Sequence, residues 1–336
     1  MTVTSSSHTL VELRGLAATP RIVTIGTFDG VHLGHHHLLR SAVTRGREQS
    51  LATMAVTFEP LPPQVLRPEK FPGRLCTVAE KVEQLASSGV DQIVAIEFNL
   101  ALAAQSPEQF MADLVAVSHL HELWVGDNFA LGRNRVGDVA RLTEIGQELG
   151  FAVVALRRLM VGPDMVSSST IRQAVSNGAV GLARRLLGRP FRVSGEVIHG
   201  AHLGRTIGFP TANVAPPAEL VALADGIYAS LAWLPDDTAP RPAMTYVGTR
   251  PTVNSGRRMV ETNLLDFDGD LYGQILRVDL IERLRGDAVF DGLDALIAQL
   301  RRDDVHARTV LAELGIAGLR PDRSHVSRSI ERWPSS

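Results

Sequence analysis

Residues 24–35 read Thr24-Ile25-Gly26-Thr27-Phe28-Asp29-Gly30-Val31-His32-Leu33-Gly34-His35. The segment follows a short apolar run over 21–26 that reads as a buried strand, and it opens a helical pattern over 34–47. A strand, a glycine-rich turn and a helix in that order place ligands beyond the carboxyl end of a strand in an open parallel sheet. Gly26, Gly30 and Gly34 let backbone amides approach a phosphate closely. The start of the helix adds the positive end of its dipole. His32 and His35 are three apart, so both rings can face one ligand. Imidazoles donate well to phosphate oxygens. If an incoming phosphate attacks directly, the protein has only to position groups and stabilise charge at the α-phosphate. His36 and His37 fall on other helix faces and are expected to face solvent.

Working outward, the alternation continues. Strands are expected at 51–58, 92–98, 122–126 and 151–156, and helices at 77–88, 107–118 and 138–149. This order predicts a doubly wound parallel α/β sheet with helices on both faces. Short helices at 168–176 and 179–187 follow. From Phe191 the pattern turns to β-rich segments at 192–199, 226–234, 243–248, 259–265 and 275–282. Turn signals such as Pro235-Asp236-Asp237 and Asp268-Gly269-Asp270 separate them, which predicts an antiparallel sheet or small barrel. A long helix over 291–314 closes the pattern, with Leu293, Leu296, Ile297 and Leu300 expected against the barrel. The boundary is placed at Gly188-Arg189-Pro190, giving domains 1–187 and 188–336. Two domains suit 336 residues.

Composition narrows the function. A net charge of −2 gives no broad basic field, so nucleic acid is not an expected partner. Lys70 and Lys81 are the only lysines, and no Walker-type phosphate lysine exists. Cys76 is the only cysteine, which excludes a disulfide within the chain and a cysteine-rich zinc site. The polar N-terminus and the lack of a long apolar run point to a cytoplasmic protein without a membrane span. Homo-oligomerisation stays open.

Further strings carry chemistry. Val166-Ser167-Ser168-Ser169-Thr170-Ile171-Arg172 supplies a hydroxyl at Ser168 and a guanidinium at Arg172 that can bridge two phosphate oxygens. Alone it would read as a serine N-cap with a surface arginine. Gly200-Ala201-His202-Leu203-Gly204-Arg205-Thr206-Ile207-Gly208-Phe209-Pro210-Thr211-Ala212-Asn213 is a second glycine-rich loop. Its Thr211 and Asn213 offer a hydroxyl and an amide oxygen, hard neutral ligands of the kind Mg²⁺ accepts beside nucleotide phosphates. Asp266, Asp268 and Asp270 form too short a loop for a calcium hand and read as a turn.

G-T-F-D-G-V-H-L-G-H resembles the adenylyltransferase domain of bacterial bifunctional riboflavin kinase/FAD synthetases, within the HxGH nucleotidyltransferases. The resemblance implies that Gly26, Thr27, Phe28, Asp29, Gly30 and Gly34 bind ATP and that His32 and His35 act in catalysis. The serine-arginine string resembles that family's I-S-S-T-x-I-R, which implies ATP-phosphate roles for Ser168 and Arg172. Val125-Gly126-Asp127-Asn128-Phe129 is similar to a flavin-side motif, which implies flavin contacts at Asp127 and Phe129. The chain departs at Thr27, where the family usually has Asn, and at Leu61, where it usually has His. The second loop resembles the riboflavin kinase signature, which implies that Gly200, Gly204, Arg205, Thr206, Gly208, Pro210, Thr211 and Asn213 bind Mg-ATP. By the same resemblance Thr211 and Asn213 hold the metal, Glu261 is the catalytic base, and Pro251 and Thr252 touch flavin.

The implied fold of the second half is a six-stranded antiparallel barrel with a C-terminal helix. The implied chemistry is stepwise: riboflavin and ATP give FMN and ADP, then FMN and a second ATP give FAD and pyrophosphate, with Mg²⁺ in both. The departures keep open a riboflavin kinase with a weakened or altered transferase acting on a modified flavin. A non-catalytic flavin-binding regulator is disfavoured, since Glu261, Thr211 and Asn213 are all present. An HxGH transferase for a cytidylyl or pantetheine substrate leaves the kinase half without a purpose.

Overall fold

The computed structural model describes residues 2–3, 19–200, 204, 207–249 and 258–315. Arg205, Thr206, Pro251 and Thr252 lie outside the described residues. The chain divides into two compact units, Met1–Phe71 with Val78–Ser167, and Pro72–Thr77 with Ser168–Ser336.

The first unit carries strands β1 (Thr2–Val3), β2 (Arg21–Ile25), β3 (Ala52–Glu59), β4 (Gln92–Glu97), β5 (Leu120–Gly126) and β6 (Ala152–Leu156). They form one parallel sheet in the order β1-β4-β3-β2-β5-β6. Between them run α1 (Leu33–Gln49), α2 (Val78–Ser87), α3 (Pro107–Ser118) and α4 (Val139–Leu149). Alternate strand residues point to opposite faces. Val23, Ile25, Met54, Val56, Val94 and Ile96 pack with Phe110, Met111 and Leu114 of α3 and with Leu142 and Ile145 of α4. Ala55 and Ile93 pack the other way, with Leu38, Leu39 and Val43 of α1 and Leu85 of α2. Each of these Val, Leu, Ile, Met and Phe side chains taken out of water contributes about 1.5–3 kcal/mol.

Local signals start and stop these helices. Ser106 caps α3 in a box with Gln109, and Pro107 takes the first turn. Asp138 caps α4, and Gly150 ends it at φ 82°. The chain winds from β2 through β3 to β4 on one side and continues with β5 and β6 on the other. The loop that leaves β2 therefore sits at the point where the winding reverses, the usual ligand position of such sheets.

The second unit is a closed barrel of β7 (Phe191–Ile198), β8 (Ala212–Ala215), β9 (Gly226–Trp233), β10 (Arg241–Thr249), β11 (Arg258–Leu264) and β12 (Ile275–Arg285). Its order is β7-β8-β11-β10-β9-β12, every pairing antiparallel, with β12 returning to β7. β8 is absent from the pattern-based reading because its four residues are bracketed by Pro210 and Pro216, too short to show alternation.

Helices α5 (Ser168–Ser176) and α6 (Val180–Leu187) also belong to this unit. α6 buries Val180, Ala183, Leu186 and Leu187 and lies against β7 and β12. In the structure both helices pack with the second unit. Two amphipathic helices in a row carry no signal for which neighbour they cover.

The last helix, α7 (Leu293–Leu314), buries Asp303, Ala307, Val310 and Leu311 against Ile227, Ala229, Leu231, Met244 and Ile281. The stripe expected at Leu293, Leu296, Ile297 and Leu300 is corrected: Leu293 is exposed, and of the four only Leu300 joins that cluster. An ion pair of Asp303 with Arg285 of β12, at 2.8 Å, lies near the middle of this helix.

Candidate active sites

The first site starts where β2 stops. Gly26 donates its N–H to Val56 O at 3.1 Å, and then the backbone leaves the sheet. Phe28, Gly30 and Val31 take φ values of 46°, 78° and 37°. A valine with positive φ is uncommon and strained. Phe28 and Val31 are wholly buried and root the loop among α1 and α2 side chains.

His32 then caps α1, and its Nδ1 accepts the His35 N–H at 3.3 Å. With that nitrogen accepting, the neutral ring carries its hydrogen on Nε2, which becomes a donor. The His32 and His35 rings stack at 3.6 Å with 13° between planes, and the Phe28 ring meets His35 edge-on at 5.1 Å. A Cβ on Gly34 would stand 3.3 Å from the His32 ring, so glycine keeps the stack undisturbed. The two histidines are brought together as expected, and Asp29 is buried within the same loop.

The other residues of this half vary. Thr27 exposes its side chain, and its carbonyl accepts from Thr57 Oγ1 at 3.1 Å. Leu61 is buried. Asp127 follows β5, exposed, with Arg158 Nε at 3.2 Å, and Phe129 packs partly on the α3 side of the sheet. Ser168 opens α5 in the second unit, and Arg172 Nε donates to Gly73 O at 2.7 Å. His36 is a correction: it is buried, and its Nδ1 lies 2.9 Å from Ser88 Oγ, because α2 packs over that face of α1. His37 is half-buried, and burial lowers its pKa below 6.5.

The second site is built on barrel strands. Asn213 of β8 stands directly opposite Glu261 of β11, and Glu261 stands opposite Tyr246 of β10. These three occupy one row of one face. Asn213 and Glu261 are both buried. Gly200 lies so close that a Cβ there would collide with the Asn213 side chain, its Oδ1 at 2.8 Å. A Cβ on Gly204 would stand 3.3 Å from Thr211 Oγ1. Gly208 turns at φ 82° with open space beside it.

Two glycines thus border the amide oxygen and the hydroxyl proposed as metal ligands. Hard, neutral oxygen donors of this kind are what Mg²⁺ carried by a nucleotide accepts. Among the described residues no group of three or more His, Cys, Asp or Glu could hold a metal ion. Nor is any helix there long and apolar enough to cross a membrane.

Comparison with known proteins agrees with both halves. The FAD synthetase family model matches residues 16–170, and the riboflavin kinase family model matches residues 187–311. A bifunctional riboflavin kinase/FMN adenylyltransferase of Escherichia coli K12 is 42% identical, over 85% of this chain and 91% of that protein. The chain belongs to the bifunctional riboflavin kinase/FMN adenylyltransferase family.

Relatives of the same description from Pseudomonas fluorescens and Haemophilus influenzae are 38% and 34% identical, each over 87% of this chain and over 93% and 96% of their own. A solved Streptococcus pneumoniae structure, described as a macrolide-efflux protein, is 27% identical with a TM-score of 0.82, covering 91% of this chain and 98% of that one. The family assignment and the doubly wound sheet followed by a barrel match the expectation from the motifs.

Two residues of this flavin-enzyme site escaped the sequence reading. Asn263, two positions beyond Glu261 on the same face, donates Nδ2 to Pro210 O at 2.6 Å and ties the glycine-rich loop to β11. Tyr246 continues the Asn213–Glu261 row and donates its hydroxyl to Asp287 Oδ2 at 3.3 Å. Strand period two from Glu261 would have flagged Asn263. Tyr246 opens the string Tyr246-Val247-Gly248-Thr249-Arg250-Pro251-Thr252, in which only Pro251 and Thr252 are given a role.

Proposed function

We propose that the chain phosphorylates riboflavin to FMN at the barrel and adenylylates FMN to FAD at the parallel sheet. The observation that carries this reading is that one chain builds both arrangements: stacked His32 and His35 at a helix start, and Asn213 in register with Glu261.

In the barrel, Glu261 accepts the proton of the ribityl 5′-hydroxyl as that oxygen attacks the γ-phosphorus of ATP and ADP leaves. Thr211 and Asn213 would hold Mg²⁺, which neutralises phosphate charge when bound. Gly200, Gly204, Gly208 and Pro210 shape the loop around the nucleotide, and Arg205, Thr206, Pro251 and Thr252 complete the assignment by motif.

In the sheet domain, an FMN phosphate oxygen attacks the α-phosphorus of a second ATP, and pyrophosphate leaves. His32 and His35 donate to phosphate oxygens, with Gly26, Phe28, Asp29, Gly30 and Gly34 forming the loop that meets them. Ser168 and Arg172 keep the phosphate role their motif implies. Asp127 and Phe129 are assigned to the flavin side.

A riboflavin kinase with a weakened or altered transferase is the second reading; the His32–His35 stack forms with an exposed Thr27 and a buried Leu61 in place. A cytoplasmic setting suits the lone Cys76. Incubation with riboflavin and Mg-ATP, followed by separation of riboflavin, FMN and FAD, tests the reading. FMN and FAD should appear in that order; FMN without FAD would remove the transferase half.

A further inference from the structure

Lys81 is one of two lysines in the chain, and it is completely buried. It stands on α2, outside every motif that assigns chemistry. Its Nζ lies 2.5 Å from Glu59 Oε1, 3.2 Å from Thr57 Oγ1, 3.2 Å from Phe58 O and 3.4 Å from Thr27 O. The Thr57 hydroxyl, which accepts from Lys81, itself donates to Thr27 O at 3.1 Å. Two routes from one ammonium therefore end on the same atom, the carbonyl oxygen of Thr27.

That atom belongs to the loop that leads from β2 to His32. Phe28, Gly30 and Val31 hold positive φ there, a conformation that persists only where the surroundings over-determine it. Phe28 and Val31 supply apolar roots on one side of the loop. Thr27, whose side chain is exposed, has no such root. Its backbone is held instead by Lys81 and Thr57. An apolar side chain would fill the same space without the desolvation cost of a buried charge. It could not donate to the end of β3 and to the loop at once.

We propose that Lys81 is a positioning residue for adenylyl transfer. Through Thr27 O, directly and by way of Thr57, it locks the strained loop so that the loop amides and His32 meet the nucleotide phosphates in one geometry. The inference rests on the transferase reading of the sheet domain. Lys81 touches no substrate in this scheme; it acts through the loop.

The test uses the full chain and its own kinase activity as an internal control. In Lys81→Met combined with Glu59→Gln, no buried charge of this pair is left without its partner. Its kcat for FAD formation from FMN should fall about 100-fold, the scale of a small misplacement of reacting groups. KM for FMN should stay within about threefold, since a loss of positioning falls on kcat. Riboflavin phosphorylation should be unchanged. Thr57→Val removes the relay, both the bond it accepts from Lys81 and the one it donates to Thr27 O, and should cost about three- to tenfold in kcat; Thr57→Ser should restore it.

A double variant within about twofold of wild type would overturn the proposal. So would equal rates for Thr57→Val and Thr57→Ser, and that comparison decides the matter if the double variant does not fold. Failure of the wild-type chain to form FAD at all would instead defeat the transferase reading beneath it.

Discussion

The two glycine-rich loops of this chain rest on different supports. In the sheet domain, β2 ends at Ile25, and everything that follows until His32 is irregular backbone with three positive φ values. Its shape is held by its own buried Phe28 and Val31 and by a lysine from α2 on the Thr27 carbonyl. In the barrel, Asn213 and Glu261 are strand residues, and the ladder between β8 and β11 sets them opposite each other. A parallel sheet offers its ligand only the loops beyond its strands, so precision there must be added by side-chain anchors. An antiparallel barrel offers a face on which neighbours are aligned by backbone hydrogen bonds already.

Four experiments would break or sharpen that contrast. The largest effect is expected for Glu261→Gln, which keeps shape and removes the base. Riboflavin phosphorylation should fall about 10²–10⁴-fold, while FAD synthesis from supplied FMN holds, measured by product separation. Next, His32→Ala with His35→Ala should lower adenylyl transfer about 10²–10³-fold and leave the kinase alone. If either pair of measurements moved together, the two sites would not be independent.

Third, Gly200→Ala pushes a methyl group into the Asn213 side chain. Overpacking of this kind costs about 1–3 kcal/mol, so KM for Mg-ATP in the kinase assay should rise about tenfold or more. A strand-borne site should feel this in nucleotide binding, with the Glu261-dependent step intact.

The smallest effect concerns the acid stability of the sheet domain. Glu122 of β5 is buried, which by itself pushes its pKa up. Hydrogen bonds from Arg45 and from Trp124 Nε1, with the Arg45 charge, outweigh that and hold it below 4.5. A carboxylate with a depressed folded-state pKa adds stability that is complete above its unfolded value and is lost as pH falls through the folded value. Glu122→Gln should therefore flatten the acid limb of the melting curve below about pH 4.3, read by tryptophan fluorescence. Kinase and transferase rates at neutral pH should stay within about twofold. An acid limb unchanged in this variant would mean that the pair adds nothing to folding.

Much of this was legible in the chain. Local order of strands and helices announced the parallel sheet, since short apolar runs at 21–26 and 51–58 are separated by helical patterns and Ser106, Asp138 and Gly150 punctuate the helices. His32 and His35 declared themselves by spacing. The strand at Ala212–Ala215 did not, because a four-residue strand between prolines is held by its neighbours and not by its own pattern. The buried stripe of α7 was read about three turns too early, because periodicity does not say which apolar residues of a long helix the barrel will cover.

Chemistry that lives in consecutive residues could be read off directly: the phosphate loops, the punctuation of helices and the divide between an α/β half and a β half. Chemistry that lives between distant residues could not. Lys81 under Thr27, Asn263 on Pro210, Tyr246 beside Glu261 and the membership of α5 and α6 in the barrel unit all join positions far apart in the chain. Periodicity says which face of an element is apolar, but not what will cover it. That choice is made when the faces pack, where burial and hydrogen-bond satisfaction across elements outweigh local preference.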